Sequence, residues 1–209
     1  MNTAVAIHPK LHHYGLITAN LDAMIDWYRK VLGMTLNHRA AMPEARNAPF
    51  SAAAFVSNDE ADHRIVLFEM PEVPAVPNRR SVGSLQHVAF QCETLDELLG
   101  TYARLKDLGI LPQWAADHGL GTAVYYADPD GNIVEINVNN YGNAWTAAEH
   151  IKTMPPAMVQ VDPDKMLAAR KASASAWELH ERATAGEFAP AKPYDARAGV
   201  RGPLPILSA

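Results

Sequence analysis

The chain has very little cysteine: Cys92 is the only one in 209 residues. No internal disulfide can form, so a reducing, cytoplasmic setting is expected. Long apolar runs are also missing. None approaches the ~20 residues that a membrane-crossing helix needs, so no membrane partner is expected. The opening stretch MNTAVAIHPK has no basic region followed by an apolar core and a small-residue cleavage site. No export signal is therefore expected. Positive charge is scarce as well. The formal net charge is −5 and no basic cluster exceeds the pair Arg79-Arg80, which argues against nucleic acid as a partner. Hydrophobic residues make up 48% and charged residues 20%, an ordinary globular balance with enough apolar side chains for a core.

The unusual count is histidine, nine in all, and two of them sit in a repeat. LHHYGL runs from Leu11 to Leu16 and LQHVAF from Leu85 to Phe90. His13 and His87 hold the same place, 74 residues apart. The sequence after each hexapeptide also repeats. NLDAMIDWYRKVLGM places Leu21, Met24, Ile25, Tyr28 and Leu32 on one helical face, with Asn20 as the cap and Gly33 as the stop. TLDELLGTYARLKDLGI does the same with Leu95, Leu98, Leu99, Tyr102, Leu105 and Leu108, and Thr94 with Glu97 forms a capping box before the stop at Gly109.

Strands follow each helix. The first half offers residues 50–57 and 64–70. The second offers 121–127 and 133–138 across the turn DPDGN, a strong hairpin signal. The predicted fold class is α+β: two paired βαβββ modules, at about 8–70 and 84–140, forming a curved mixed sheet around a metal cavity, plus a C-terminal helical extension. The modules make up a domain over 1–140, and 141–209 forms a helical and extended segment. Proline-rich 71–84 connects the modules. A short helix is expected around Trp145 to Lys152, and one opened by Pro163 running through Leu179 and Arg182. The end, from Gly186, reads as extended. Trp145, Met158, Met166, Leu167 and Trp177 are too many large apolar groups for a free tail. They predict packing on the module or on a partner chain, in a homodimer or higher homo-oligomer.

Alternation along strands selects the chemistry-bearing positions. Leu11, His13, Gly15 and Ile17 share a face, as do Leu85, His87, Ala89 and Gln91. Glu135 lies between Val134 and Ile136, where a carboxylate is costly unless paired or bound to metal. A lone strand histidine is most simply a hydrogen-bonded core residue. The repeat and the isolated Glu135 together favour a facial triad instead: His13, His87 and Glu135 holding Fe(II), with Mn or another divalent metal as alternatives. His12, opposite Gln86 in the repeat, reads as structural and on the other face.

These stretches, with YYADPDGNIVEINV, give the chain its resemblance to the vicinal-oxygen-chelate superfamily over residues 11 to about 140. It is most similar there to the small single-unit type I extradiol dioxygenases. That resemblance implies iron ligands at His13, His87 and Glu135, a catecholic small-molecule substrate, and O₂. It also implies an acid–base histidine at His63, where Asp62 stands in place of a first histidine of the family pattern. Strand parity points the same way: His63, Ile65 and Leu67 share a face, and Leu67 reads as the equivalent of Glu135. A phenol ten residues before the carboxylate is implied too, at Tyr125, with Tyr126 beside it as the alternative. His118, in the loop ADHGLG, matches a substrate- or oxygen-contacting histidine loosely. The aliphatic at position 67 leaves three protein ligands and an open side, which favours oxygen chemistry over isomerisation. The alternatives are a glyoxalase-like metal-dependent isomerase or lyase, and a metal-free small-molecule-binding protein.

Overall fold

The computed structural model describes residues 9–43, 48–74, 85–153 and 158–195. The chain divides into two compact units, Met1–Ala75 and Val76–Ala209. Most of the expected connector, 75–84, and the last part of the expected extended tail, 196–209, lie outside the described residues.

The first unit runs β1 (Tyr14–Thr18), α1 (Leu21–Leu32), β2 (Thr35–Ala41), β3 (Ala52–Ser57) and β4 (Ile65–Glu69). Its four-stranded sheet has the order β1-β4-β3-β2, with β1 parallel to β4 and the other pairs antiparallel. Helix α1 starts where Asn20 Oδ1 accepts from the Ala23 N–H at 3.0 Å. It stops at Gly33, whose φ of +66° needs a residue without a Cβ. Leu21, Met24, Tyr28 and Val31 form its buried stripe, and α1 packs on β3 and β4. Each such side chain contributes roughly 1.5–3 kcal/mol by leaving water.

The second unit repeats that order: β5 (Val88–Cys92), α2 (Leu95–Asp107), β6 (Trp114–Asp117), β7 (Gly121–Ala127) and β8 (Ile133–Asn139). Its sheet is β5-β8-β7-β6-β9, where β9 (Val159–Gln160) comes from the C-terminal segment, again with one parallel pair, β5 with β8. The capping box of Thr94 and Glu97 is present. In the β7–β8 turn Gly131 has φ +79°, and the Asp128 carboxylate accepts from the N–H groups of Asp130 and Asn132. The architecture is thus α+β, with two mixed sheets of matching topology.

The C-terminal segment supplies α3 (Ala144–His150), β9 (Val159–Gln160), α4 (Pro163–Lys171) and α5 (Ala176–Thr184). One helix from Pro163 through Arg182 was expected. Two are found, because Ser173 takes φ +76°, which ends the first helix. Strand β9 pairs with β6 and covers that sheet edge. Val161, Met166, Leu179, Ala183 and Phe188 are buried. Of the large apolar groups singled out in the sequence, Trp145, Met158 and Trp177 remain exposed; Met166 is buried. Among the described residues, no helix is long and apolar enough to cross a membrane.

Candidate functional site

In the second unit, three strands align three side chains. The register sets Ala89 beside Glu135 and Glu135 beside Tyr125, so all three share one face. His87 stands one residue before β5 rather than within it. These residues line a cavity of about 540 Å³ that also takes in His118, Gln91 and Asn137. Register decides between the two tyrosines. Tyr125 lines the cavity; Tyr126 pairs with Val134, on the other face, and is fully buried.

Glu135 is 8% exposed. Its Oε1 accepts from Asn137 Nδ2 at 2.8 Å, and its Oε2 lies 3.0 Å from His87 Nε2. The His87 Nδ1 is against Gln86 Oε1. An imidazole nitrogen and a carboxylate oxygen at that distance are bridged by a proton or by a divalent metal. The donor set of one imidazole nitrogen and one carboxylate oxygen, with the second imidazole nitrogen anchored, suits a metal.

The Tyr125 phenol is pushed above the ordinary range, first by burial and then by the nearby Glu135 charge. His118 Nε2 lies 2.9 Å from the Tyr125 hydroxyl. A phenol and an imidazole nitrogen at that distance share one hydrogen bond. Trp114 stacks on Tyr125 at 3.9 Å and 4° between planes. The sequence reading passes over Trp114, and it places Asn137 on the face of Glu135 without a role. Trp114 pairs directly with Tyr125 in the sheet, but β6 is only four residues long and gives no periodic signal.

The other two expected residues lie in the first unit. His13 stands one residue before β1, as His87 does before β5. The His63 ring is 4.3 Å from that of His13 and 5.2 Å from that of Phe55. Asp62 Oδ2 is 2.5 Å from His63 Nδ1. That contact is the main reason the Asp62 carboxyl is held below its usual range.

Two parts of the strand-parity reading are corrected. Tyr14 and Gly15 pair with Ile65 and Val66, as Val88 and Ala89 pair with Val134 and Glu135. The equivalent of Glu135 is therefore Val66, not Leu67, which is fully buried. It is still an aliphatic. His63 keeps its place beside His13, but not by alternation with Leu67; it precedes β4, where the backbone is irregular and parity does not extend. His12 is not set apart on another face. Its Nδ1 is 2.9 Å from that of His13, and His12, His13 and His63 could together hold a metal ion. The physical reason is the same: residues before β1 are not bound by strand alternation.

The six expected residues thus fall into two groups, His87, Glu135, Tyr125 and His118 in one unit and His13 and His63 in the other. The model of the Glyoxalase/Bleomycin resistance protein/Dioxygenase superfamily matches residues 10–136. The chain is 33% identical over 147 residues to biphenyl-2,3-diol 1,2-dioxygenase 3 of Rhodococcus globerulus, covering 70% of this chain and 72% of that one. It is 34% identical over 133 residues to biphenyl-2,3-diol 1,2-dioxygenase 2 of the same organism, 64% of each chain. Among solved structures, a glyoxylase/bleomycin resistance protein/dioxygenase domain from Frankia sp. EAN1pec shares the fold, with TM-score 0.56 and 19% identity over 66% of this chain and 96% of that one.

Proposed function

Given that this chain belongs to the Glyoxalase/Bleomycin resistance protein/Dioxygenase superfamily, we propose that it is an Fe(II)-dependent extradiol dioxygenase that opens a catecholic ring with O₂. The observation that carries the reading is the His87–Glu135 pair, an imidazole nitrogen and a carboxylate oxygen 3.0 Å apart on a cavity wall with Tyr125 directly across the sheet. The two relatives named for biphenyl-2,3-diol support a vicinal aromatic diol as the substrate class. His13 is proposed as the third ligand, on the strength of the sequence repeat and its matching place before β1. Val66 at the position equivalent to Glu135 offers no fourth ligand, which favours this reading over an isomerase.

Iron bound there would supply coordination of both diol oxygens and electron transfer between diol and O₂. The side chains do the rest. Tyr125 keeps its proton through the neutral range, because its phenol is pushed up. Its hydroxyl can then donate to a diol oxygen. His63, held at Nδ1 by Asp62, has Nε2 left to accept a diol proton. His118 faces the same region from the cavity wall. The test is turnover of biphenyl-2,3-diol and simpler catechols under ¹⁸O₂, with iron-loaded protein. The proposal expects a coloured ring-opened acid carrying both labelled atoms. An isomerised product without label, or binding without any turnover, contradicts it.

A further inference from the structure

We propose that His180, carried by α5 in the C-terminal segment, is a positioning residue that holds His118 against Tyr125. The idea rests on the functional reading only in that the cavity these two residues line is where the diol would sit.

Asp117 ends β6 and is completely buried. A buried carboxylate costs several kcal/mol unless its lone pairs are met. Four donors meet them. Oδ1 accepts from the Gly119 N–H at 2.7 Å. Oδ2 accepts from Thr122 Oγ1 at 3.2 Å, Asn140 Nδ2 at 3.1 Å and His180 Nδ1 at 2.8 Å. The shortest bond to Oδ2 comes from His180, on an element outside the span matched by the family model.

Asp117 is also the residue before His118, and the bonds it gathers fix the turn that presents that histidine. The His118 N–H bonds Gly121 O at 2.8 Å, and Asn140 N–H bonds Leu120 O at 2.9 Å. Asn140 Nδ2 reaches Gly119 O at 3.0 Å. Gly119 takes φ +84°, and a Cβ on Gly121 would meet Val138 O at 2.9 Å, so the turn has one conformation to adopt. His180 therefore bonds the carboxylate that holds the turn, and the turn aims His118 at Tyr125. His180 itself does not line the cavity, so it acts through His118. It is not needed to keep α5 in place: Leu179 and Ala183 are fully buried on that helix, and Asp117 keeps three donors without it.

The test compares His180→Leu with His180→Asn, whose amide N–H can take the place of Nδ1–H. In the full-length chain without added metal, the proton of the His118–Tyr125 hydrogen bond is followed by NMR, assigned through His118→Gln. We expect that proton to exchange slowly in the native chain and in His180→Asn, and to be lost to solvent exchange in His180→Leu. With iron loaded, His180→Leu should keep its iron and lose roughly tenfold to a hundredfold in catechol kcat/KM. Combined with His118→Gln it should add nothing to that variant's loss, because both act through one group. An unchanged His118 signal in His180→Leu, or additive losses in the double variant, overturns the proposal. If no variant turns over catechol, the functional reading fails, while the NMR comparison still decides the role of His180.

Discussion

At the scale of single residues, protonation is set by what each group faces. Three phenols, those of Tyr102, Tyr125 and Tyr126, are pushed above the ordinary value of 10.0, in each case chiefly by burial. The folded chain then holds these protons more tightly than the unfolded chain does. Their effect on stability is level below about pH 10 and turns destabilising as pH rises past it. Melting temperature should fall steeply above pH 10, and less steeply in Tyr126→Phe; an unchanged slope in that variant would remove burial of this phenol as a cause. His63 separates proton transfer from metal holding. His63→Gln should keep iron and still bind a catechol, while turnover drops by about 10²–10⁴. Full activity would move the proton transfer to His118 or Tyr125.

Residue scale is also where the sequence was least legible. Glu135 stood out because a carboxylate interrupts an apolar strand, and His87 because it repeats His13. The equivalence of Leu67 with Glu135 failed by one residue. Nothing in the sequence marks where β4 begins, and one step of register exchanges the two faces of a strand. His12 was misplaced because alternation was extended into residues that precede β1. His180 gave no signal at all: its partner Asp117 is 63 positions away, and only the fold brings them together.

At the scale of elements, strong periodicity was legible and weak periodicity was not. Helices α1 and α2 were evident from their apolar stripes and caps, and β7 and β8 from their apolar runs and the Asp-Gly turn. Strand β2, TLNHRAA, is mostly exposed and carries no clear alternation. Strands β6 and β9 are too short to show a period. Helix α4 docks on α2 partly through charge. Lys106 bonds Asp164 at 2.7 Å, and Arg170 bonds Asp96 at 2.6 and 2.7 Å. Those partners hold both carboxyls below the ordinary 3.8. The stabilisation is present above that value and is lost as pH falls through and below it. Both pairs are solvent-facing, so the effect is small and salt-sensitive. Thermal stability below pH 4 should depend less on pH in the Asp96→Asn, Asp164→Asn double variant; an identical acid limb would show that the pairs contribute nothing.

At the scale of the whole molecule, the C-terminal segment is part of the second unit's core. It buries Val161, Met166, Leu179, Ala183 and Phe188. It covers the β6 edge with β9, and it brings Tyr194 into a parallel stack on Trp114, 5.7 Å away, behind Tyr125. Ending the chain at Tyr141 should give insoluble or unstable protein, because the β6 edge and the apolar face beneath α4 and α5 are uncovered together. Leu179→Ala in the full chain should cost about 2–5 kcal/mol, read from denaturant unfolding. A truncated chain as stable as the full one would contradict this view of the segment.

The central claim is the identity of the metal ligands, and iron content tests it most directly. Anaerobically prepared wild-type chain and the variants His12→Ala, His13→Ala, His87→Ala and Glu135→Ala are loaded with Fe(II), passed over a desalting column and assayed for bound iron. The account predicts about one iron per chain in the wild type and in His12→Ala, and none in the other three. Iron retained by Glu135→Ala or His87→Ala, or lost from His12→Ala while His13→Ala keeps it, would contradict the assignment.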